Sequence, residues 1–518
     1  MKAEYVDVLI VGAGLSGIGA ACHLQKDRPK DSFAILEGRA AIGGTWDLFR
    51  YPGIRSDSDM YTMGYAFRPW TNPKSIADGA SIREYIRDTA REAGLERKIR
   101  FKHKVTRAAW SSKDARWTVE AVRSDSTGEQ TVRFSCRFLF MCSGYYRYSA
   151  GFTPEFAGTE RFKGPIVHPQ AWPEDLDYAN KRVVVIGSGA TAVTLVPSMA
   201  PRAAHVTMLQ RSPTYVLSLP ERDRFANRLQ RMLPEKAAYG ITRWKNVMMG
   251  MWFFQLSRRK PKWVKHAILR GVRDQLGPDY DVRKHFSPRY KPWDQRVCLV
   301  PDADLFVAIK SGRASVVTDH IETFTEHGLK LKSGQELEAD IIVTATGLEL
   351  ESLGGMELQV DGQIVDVANS VNYKGMMYSD VPNLAACFGY TNASWTLKCD
   401  LTCDYVCRLL SYMDAHGYAQ ATPRKQDPFM PTVPGMDFSS TYVQRAKDRI
   451  PKQGTRAPWK LYQNYALDIM LLRFGSVADK AMEFSNPAPA KSTGAPRRRT
   501  FTRARDKAAT TRAAMPRT

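Results

Sequence analysis

The sequence predicts an α/β protein made of two Rossmann-like dinucleotide-binding domains, with a helical insertion in the second. Three observations predict it. An apolar strand, Val6 to Val11, runs into Gly12-Ala-Gly14-Leu-Ser16-Gly17 and then a helical stretch from Ile18 to Gln25. The order repeats at Val183 to Ile186, where the turn reads Gly187-Ser-Gly189-Ala190-Thr191-Ala192. Residues 221–291 break this alternation and read as basic helices. A strand, a tight glycine turn and a helix start can hold a pyrophosphate on free N–H groups.

Composition sets the outer limits. A chain of 518 residues with 43% hydrophobic content can bury large cores and suggests about three domains. No apolar run approaches the roughly 18 residues of a membrane span, and Asp7 interrupts the apolar N-terminus, so a soluble, cytoplasmic chain is expected. Eight cysteines without CxxC spacing predict reduced thiols. The net charge of +22 is localised: residues 221–291 hold 18 Lys/Arg against 6 Asp/Glu, and residues 487–518 hold 9 against 1. The remainder is nearly neutral, which argues against nucleic-acid binding by the dinucleotide domains.

The first turn gains specificity from its surroundings, since a lone glycine turn with no ligand is the bland reading. A second strand, Phe33 to Leu36, ends in Glu37 about 20 residues beyond the turn. A carboxylate there accepts hydrogen bonds from ribose hydroxyls and repels a 2'-phosphate, so the first site fits FAD. In the second unit, His205 to Leu209 ends in Gln210-Arg211-Ser212. A guanidinium and a hydroxyl in place of a carboxylate invert that preference, and NADPH is predicted over NADH.

Between the turns, residues 83–95 read as an amphipathic helix and residues 99–141 as hairpin strands ending in Phe138 to Met141. Cys142-Ser-Gly144-Tyr-Tyr then leaves the first domain, and Gly151 to Pro173 forms a hinge. Within the hinge stands Phe162-x-Gly164-x-x-x-His168-x-x-x-Trp172-Pro173. This spacing resembles the fingerprint of type I Baeyer-Villiger monooxygenases, and Trp172 separates them from their N-hydroxylating relatives. A lone histidine is more often a structural group, and for His168 a linker role outweighs acid–base catalysis.

The resemblance extends over roughly residues 5 to 475. Gly43-Gly44-Thr45-Trp46 and the stretch from Arg50 through Asp57 to Tyr61 resemble the family's flavin-contacting segments. Gly44 permits close backbone approach and Trp46 offers a flat wall. Asp57 matches the acid that pairs with the catalytic arginine, against the bland reading of a turn residue. In Pro292-Trp-Asp-Gln295-Arg296-Val297, Arg296 matches that arginine, against a purely structural ion pair. Gln295 stands where the cyclohexanone-oxidising branch has a lysine for the 2'-phosphate, which shifts that burden to Arg211. Pro458-Trp-Lys-Leu-Tyr-Gln-Asn-Tyr465 resembles the branch of ethionamide-activating and long-chain alkane monooxygenases.

The resemblance implies an NADPH-dependent flavin monooxygenase. Reduced FAD adds O2 at C4a, and the peroxide attacks a hydrophobic, open-chain ketone to give an ester or lactone, with sulfoxidation as a side activity. Arg296 would stabilise the oxyanion and Asp57 would orient Arg296. An N- or S-oxygenating flavin monooxygenase is the alternative, which Trp172 and Arg296 disfavour. A disulfide reductase would need a CxxxxC pair that Cys22 lacks. A non-enzymatic membrane or scaffold protein would have no need of two phosphate-binding turns.

The insertion carries Val247-Met-Met-Gly-Met-Trp-Phe-Phe254, flanked by Arg243, Lys245 and Arg258-Arg-Lys260. Such a segment lies at a membrane surface, placing the chain peripherally on the inner face of the cell membrane, or it turns an apolar stripe to the core and a basic side to water. Ile341 to Thr344 and Ala345-Thr-Gly347 are expected to return the chain to the first domain. Phe388 to Trp395 then opens a helix to about Ala415, aimed at the flavin. Its Cys399, Cys403 and Cys407 read as small buried side chains rather than metal ligands. The first domain thus spans 1–150 and 339–486, the second 151–220 and 292–338, the insertion 221–291, and a disordered tail 487–518.

Overall fold

Two sheets carry the chain, and the computed structural model describes residues 3–488 except Thr127 and Asp437. Most of the tail, residues 489–518, lies outside the described set. The first sheet has nine strands. Its parallel part sets Ile99–Arg100, Phe33–Leu36, Glu4–Val11, Gly128–Met141 and Leu384–Ala386 side by side. Alternate residues of the central strands enter different cores. Val8, Ile10, Phe138 and Phe140 join one, and Leu9, Val11, Leu139 and Met141 the other. Burial on both faces is why these stretches read as continuous apolar runs. Helices Leu15–Asp27 and Trp395–Ala415 pack against each other on one face. The antiparallel strands His103–Ser111 and Arg116–Asp125 extend the sheet from Gly128–Met141.

The second sheet is five-stranded and parallel, in the order Ala314–Thr318, His205–Gln210, Arg182–Ile186, Ile341–Thr344, Ile166–Val167. This corrects the expected return at residue 339. Ile341–Thr344 pairs with Arg182–Ile186 instead of entering the first sheet, and all four of its residues are buried. Asp340 fixes that register, accepting the Arg182 backbone N–H at 2.7 Å and pairing with its guanidinium at 3.2 Å. Re-entry into the first sheet comes later, at Glu357–Val360, which pairs in parallel with His103–Ser111, and then at Leu384–Ala386 beside Gly128–Met141.

The fingerprint segment is built into the second sheet. Phe162 is buried, and a Cβ on Gly164 would lie 2.3 Å from the Asp340 carbonyl oxygen, so only glycine permits this approach. Trp172 packs on the core of the second sheet, and Pro173 beside it is exposed. His168 Nε2 lies 3.2 Å from the Gly347 carbonyl oxygen, while Nδ1 accepts the Gln170 N–H at 3.1 Å. Burial pushes the His168 pKa below its ordinary value.

Residues 221–291 form helices Arg224–Met232, Glu235–Arg259, Pro261–Leu276 and Val282–Phe286. Two flanking cations are not on a solvated side. Arg243 is buried and donates to the carbonyl oxygens of Tyr61 and Gly64, both at 2.8 Å, and to Asp400 Oδ2 at 3.2 Å. Lys245 pairs with Asp223 at 2.6 Å. The insertion is therefore bolted to the first domain through a buried ion pair. Tyr61, expected at the flavin, belongs to this joint: it is fully buried, packs on Tyr239 and does not line the cofactor cleft. Replacing Arg243 by Met leaves the buried Asp400 carboxylate with the Ala66 N–H but no guanidinium, and strips the donor from the carbonyls of Tyr61, Thr62 and Gly64. A loss of about 3–5 kcal/mol is expected in urea unfolding, and a loss under about 1 kcal/mol would show that water satisfies the joint instead.

Candidate active site

Both glycine turns open into one cleft of about 1510 Å³. At the first turn Gly12 has φ +105°, and a Cβ there would lie 2.5 Å from the Cys142 carbonyl oxygen. A Cβ on Gly17 would lie 1.8 Å from the Gly12 carbonyl oxygen, so the turn and helix close only with glycine at both places. Helix Leu15–Asp27 starts at Gly14 with no side-chain cap and no acid in its first turn. Its free N–H groups and dipole favour an anion. Gly44 faces Gly14 across the cleft floor, where a Cβ would approach the Gly14 Cα to 3.0 Å. Ser16, Thr45 and Trp46 complete this end.

Glu37 lies in the wall of the cleft and is buried. One of its oxygens accepts the Ala13 N–H at 2.7 Å and the other the Arg39 N–H at 2.8 Å, leaving lone pairs for ribose hydroxyls. Burial pushes its carboxyl pKa up, against the pull of those two bonds. These residues fit an FAD adenosine and pyrophosphate.

The second turn repeats the pattern with opposite charge. Gly187 has φ +141°, and helix Ala190–Met199 starts at Gly189 without a side-chain cap. A Cβ on Gly189 would meet nothing within 4 Å, so a ligand has room to approach. Ala190, Thr191, Arg211 and Ser212 line this end. Gln210 is committed to structure, donating to the His285 carbonyl oxygen at 2.7 Å and to Thr318 at 2.9 Å. Arg211 makes no ion pair among the described residues. Arg445 comes close enough to feel its charge: burial first, then Arg449 and Arg211, hold the Arg445 pKa below its ordinary value. Two guanidinium groups facing a cleft favour a phosphate over a hydroxyl.

At the floor Arg296 meets Asp57 in a two-point pair, Nε to Oδ2 at 2.6 Å and a terminal nitrogen to Oδ1 at 2.8 Å. Asp57 raises the guanidinium pKa, which outweighs the opposing effect of burial, so Arg296 is a permanent cation. Tyr145, Tyr146 and Tyr442 surround the pair, and burial holds all three phenols above their ordinary pKa, hence neutral. Tyr145 stacks on Trp395, the first residue of the 21-residue helix, at 4.4 Å between ring centres. Gln295 also lines the cleft.

The structure thus brings together every cofactor residue expected from the sequence except Tyr61, with Gly17 acting by packing alone. The fingerprint residues Phe162, Gly164, His168, Trp172 and Pro173 lie outside the cleft wall. The sequence reading missed Tyr442 and Arg445. They stand on the six-residue helix Thr441–Ala446, which has no glycine turn or spacing to mark it. Cys399, Cys403 and Cys407 are buried; burial pushes Cys407 up to about 12 and the other two further. They pack as neutral thiols.

The model of the Flavin-binding monooxygenase-like family matches residues 6–269. The chain is 54% identical over 488 residues to the FAD-containing monooxygenase EthA of Mycobacterium tuberculosis, covering 94% of this chain and 99% of that one. It is 49% identical over 483 residues to the probable FAD-binding monooxygenase AlmA of Acinetobacter baylyi, covering 93% and 96%. Its fold is similar to that of oxidized steroid monooxygenase bound to NADP, with a TM-score of 0.72 over 93% of this chain and all of that one, at 22% identity. The chain belongs to the flavin-binding monooxygenase-like family.

Proposed function

We propose that this chain is an FAD- and NADPH-dependent Baeyer-Villiger monooxygenase that inserts one oxygen atom of O2 beside the carbonyl of a hydrophobic, open-chain ketone, giving an ester. The observation that carries the reading is the two-point Arg296–Asp57 pair in a cleft shared by two uncapped helix starts. When bound, FAD reduced by NADPH supplies an oxygen atom activated from O2. Glu37 accepts the ribose hydroxyls of FAD, and Arg211 with Arg445 holds the 2'-phosphate of NADPH. Addition to a carbonyl builds negative charge on its oxygen, and a fixed cation lowers the cost of that charge. Arg296 supplies it; Asp57 fixes the orientation of the guanidinium. Neutral Tyr145, Tyr146 and Tyr442 dry the surroundings and so strengthen the interaction. Oxygenation of nitrogen or sulfur creates no such oxyanion, which is why this pair favours ketones.

In Arg296→Ala, NADPH still bleaches the flavin, but ester formation falls by about 10²–10³-fold while hydrogen peroxide accumulates. Retained ester formation, read by mass spectrometry, would remove Arg296 from the chemistry. In the double variant Arg211→Ala/Arg445→Ala, the NADPH-to-NADH ratio of kcat/KM drops about tenfold or more. An unchanged ratio would assign the cofactor preference to other residues.

The insertion favours an anionic membrane surface as a partner. Ile241, Trp244, Met248, Met249 and Trp252 recur at helical spacing on Glu235–Arg259 and are 47–65% exposed. Tryptophans beside Arg259 and Lys260, which make no ion pair among the described residues, suit the headgroup region of anionic lipid. Arg258 is engaged with Asp294 at 2.9 Å and is not free for this. No helix among the described residues is long and apolar enough to cross a membrane. Sedimentation with phosphatidylserine vesicles tests the contact: Trp244→Ser/Trp252→Ser should stay in the supernatant while the unmodified chain pellets. Equal pelleting would reject it.

A further inference from the structure

Behind the cofactor cleft lies a second cavity of about 540 Å³, in the size range of small-molecule sites. Tyr390 is part of the wall of both. Beside Tyr390 the cavity is polar but charge-balanced. Asp468 Oδ2 accepts the Tyr390 hydroxyl at 2.6 Å and the Lys398 ammonium at 2.8 Å, with both charged groups buried. A second pair, Lys374 with Asp479 at 2.9 Å, is similarly closed. Phe388, Met430, Trp459, Leu461, Leu471 and Leu472 supply apolar wall. The outer lining is different. Lys425, Lys460 and Lys480 line the cavity without an ion pair among the described residues, and Arg456 alone has one, with Asp427 at 2.6 Å.

The cavity therefore has an apolar length, a neutral inner end walled by Tyr390, which also lines the cleft, and a cationic mouth. Resting on the proposed function, we propose that it seats the far end of the substrate, and that this end carries a carboxylate: the enzyme oxygenates amphipathic keto acids. The ketone reaches past Tyr390 toward Arg296, the aliphatic chain lies along Trp459 and Leu461, and the carboxylate stays at the hydrated mouth among Lys425, Lys460 and Lys480. An anion placed there keeps most of its water and needs no deep desolvation, whereas the inner lysines are already neutralised by Asp468 and Asp479. Clustered mouth cations also raise the local concentration of anionic substrate, an effect that weakens as salt is added.

The test compares, on the holoenzyme, a linear methyl ketone with the keto acid of the same chain length. The keto acid should show a kcat/KM about tenfold higher at low salt. Lys460→Ala/Lys480→Ala should bring that ratio close to one. A ratio near one in the unmodified enzyme, or a ratio the double variant does not change, would overturn the proposal while leaving ketone oxygenation intact. A second readout needs no turnover: decanoate should change the Trp459 fluorescence and decanol should do so more weakly, with Trp459→Phe removing the signal. Decanoate binding that depends on Lys460 and Lys480 in an enzyme that oxidises no ketone would support the site and reject the proposed reaction. Equal binding of decanoate and decanol would overturn the carboxylate's role.

Discussion

The organisation of this chain depends on a permanent cation kept beside the meeting place of two dinucleotide sites. The Arg296 guanidinium is half-buried in the cleft wall, and a partner compensates the hydration it gives up there. Asp57 does so from the first domain while Arg296 comes from the second, so the pair also ties the two together. The tyrosines around it add bulk without charge. Much of the surrounding architecture can be understood as holding this arrangement: the Trp395 helix start beneath Tyr145, and the loops that aim Asp57 and Arg296 at one another.

The two halves use one backbone device with contrasting side chains. Uncapped helix starts at Gly14 and Gly189 give each site the same preference for an anion. In the function proposed, discrimination falls to what stands just after the neighbouring strand, Glu37 in one case and Arg211 in the other. The insertion is a third layer. Its inward face is fastened by Arg243 and Asp400, which leaves Met248, Met249 and Trp252 exposed on the outward face.

What was legible in the sequence was what local physics dictates. Glycine turns, apolar runs and the terminal acid at Glu37 are short-range features, and their elements lie where expected to within a few residues. The helix from Trp395 to Ala415 is another such case. What was not legible depends on partners distant in the chain. Ile341–Thr344 is an apolar run that either sheet could accept, and Asp340 decides the matter by binding Arg182. Tyr61 and Arg243 look like a flavin contact and a solvated cation until the fold sets them against each other. Tyr442 and Arg445 carry no local signature at all, because their role arises only when a short helix closes over the cleft.

The central claim is spatial, and the most direct test is the experimentally determined structure of the chain with FAD and NADP bound together. The account predicts the Arg296 guanidinium in contact with the isoalloxazine ring while still paired with Asp57. An isoalloxazine seated against another part of the cleft, with the guanidinium out of reach of the ring, would contradict it.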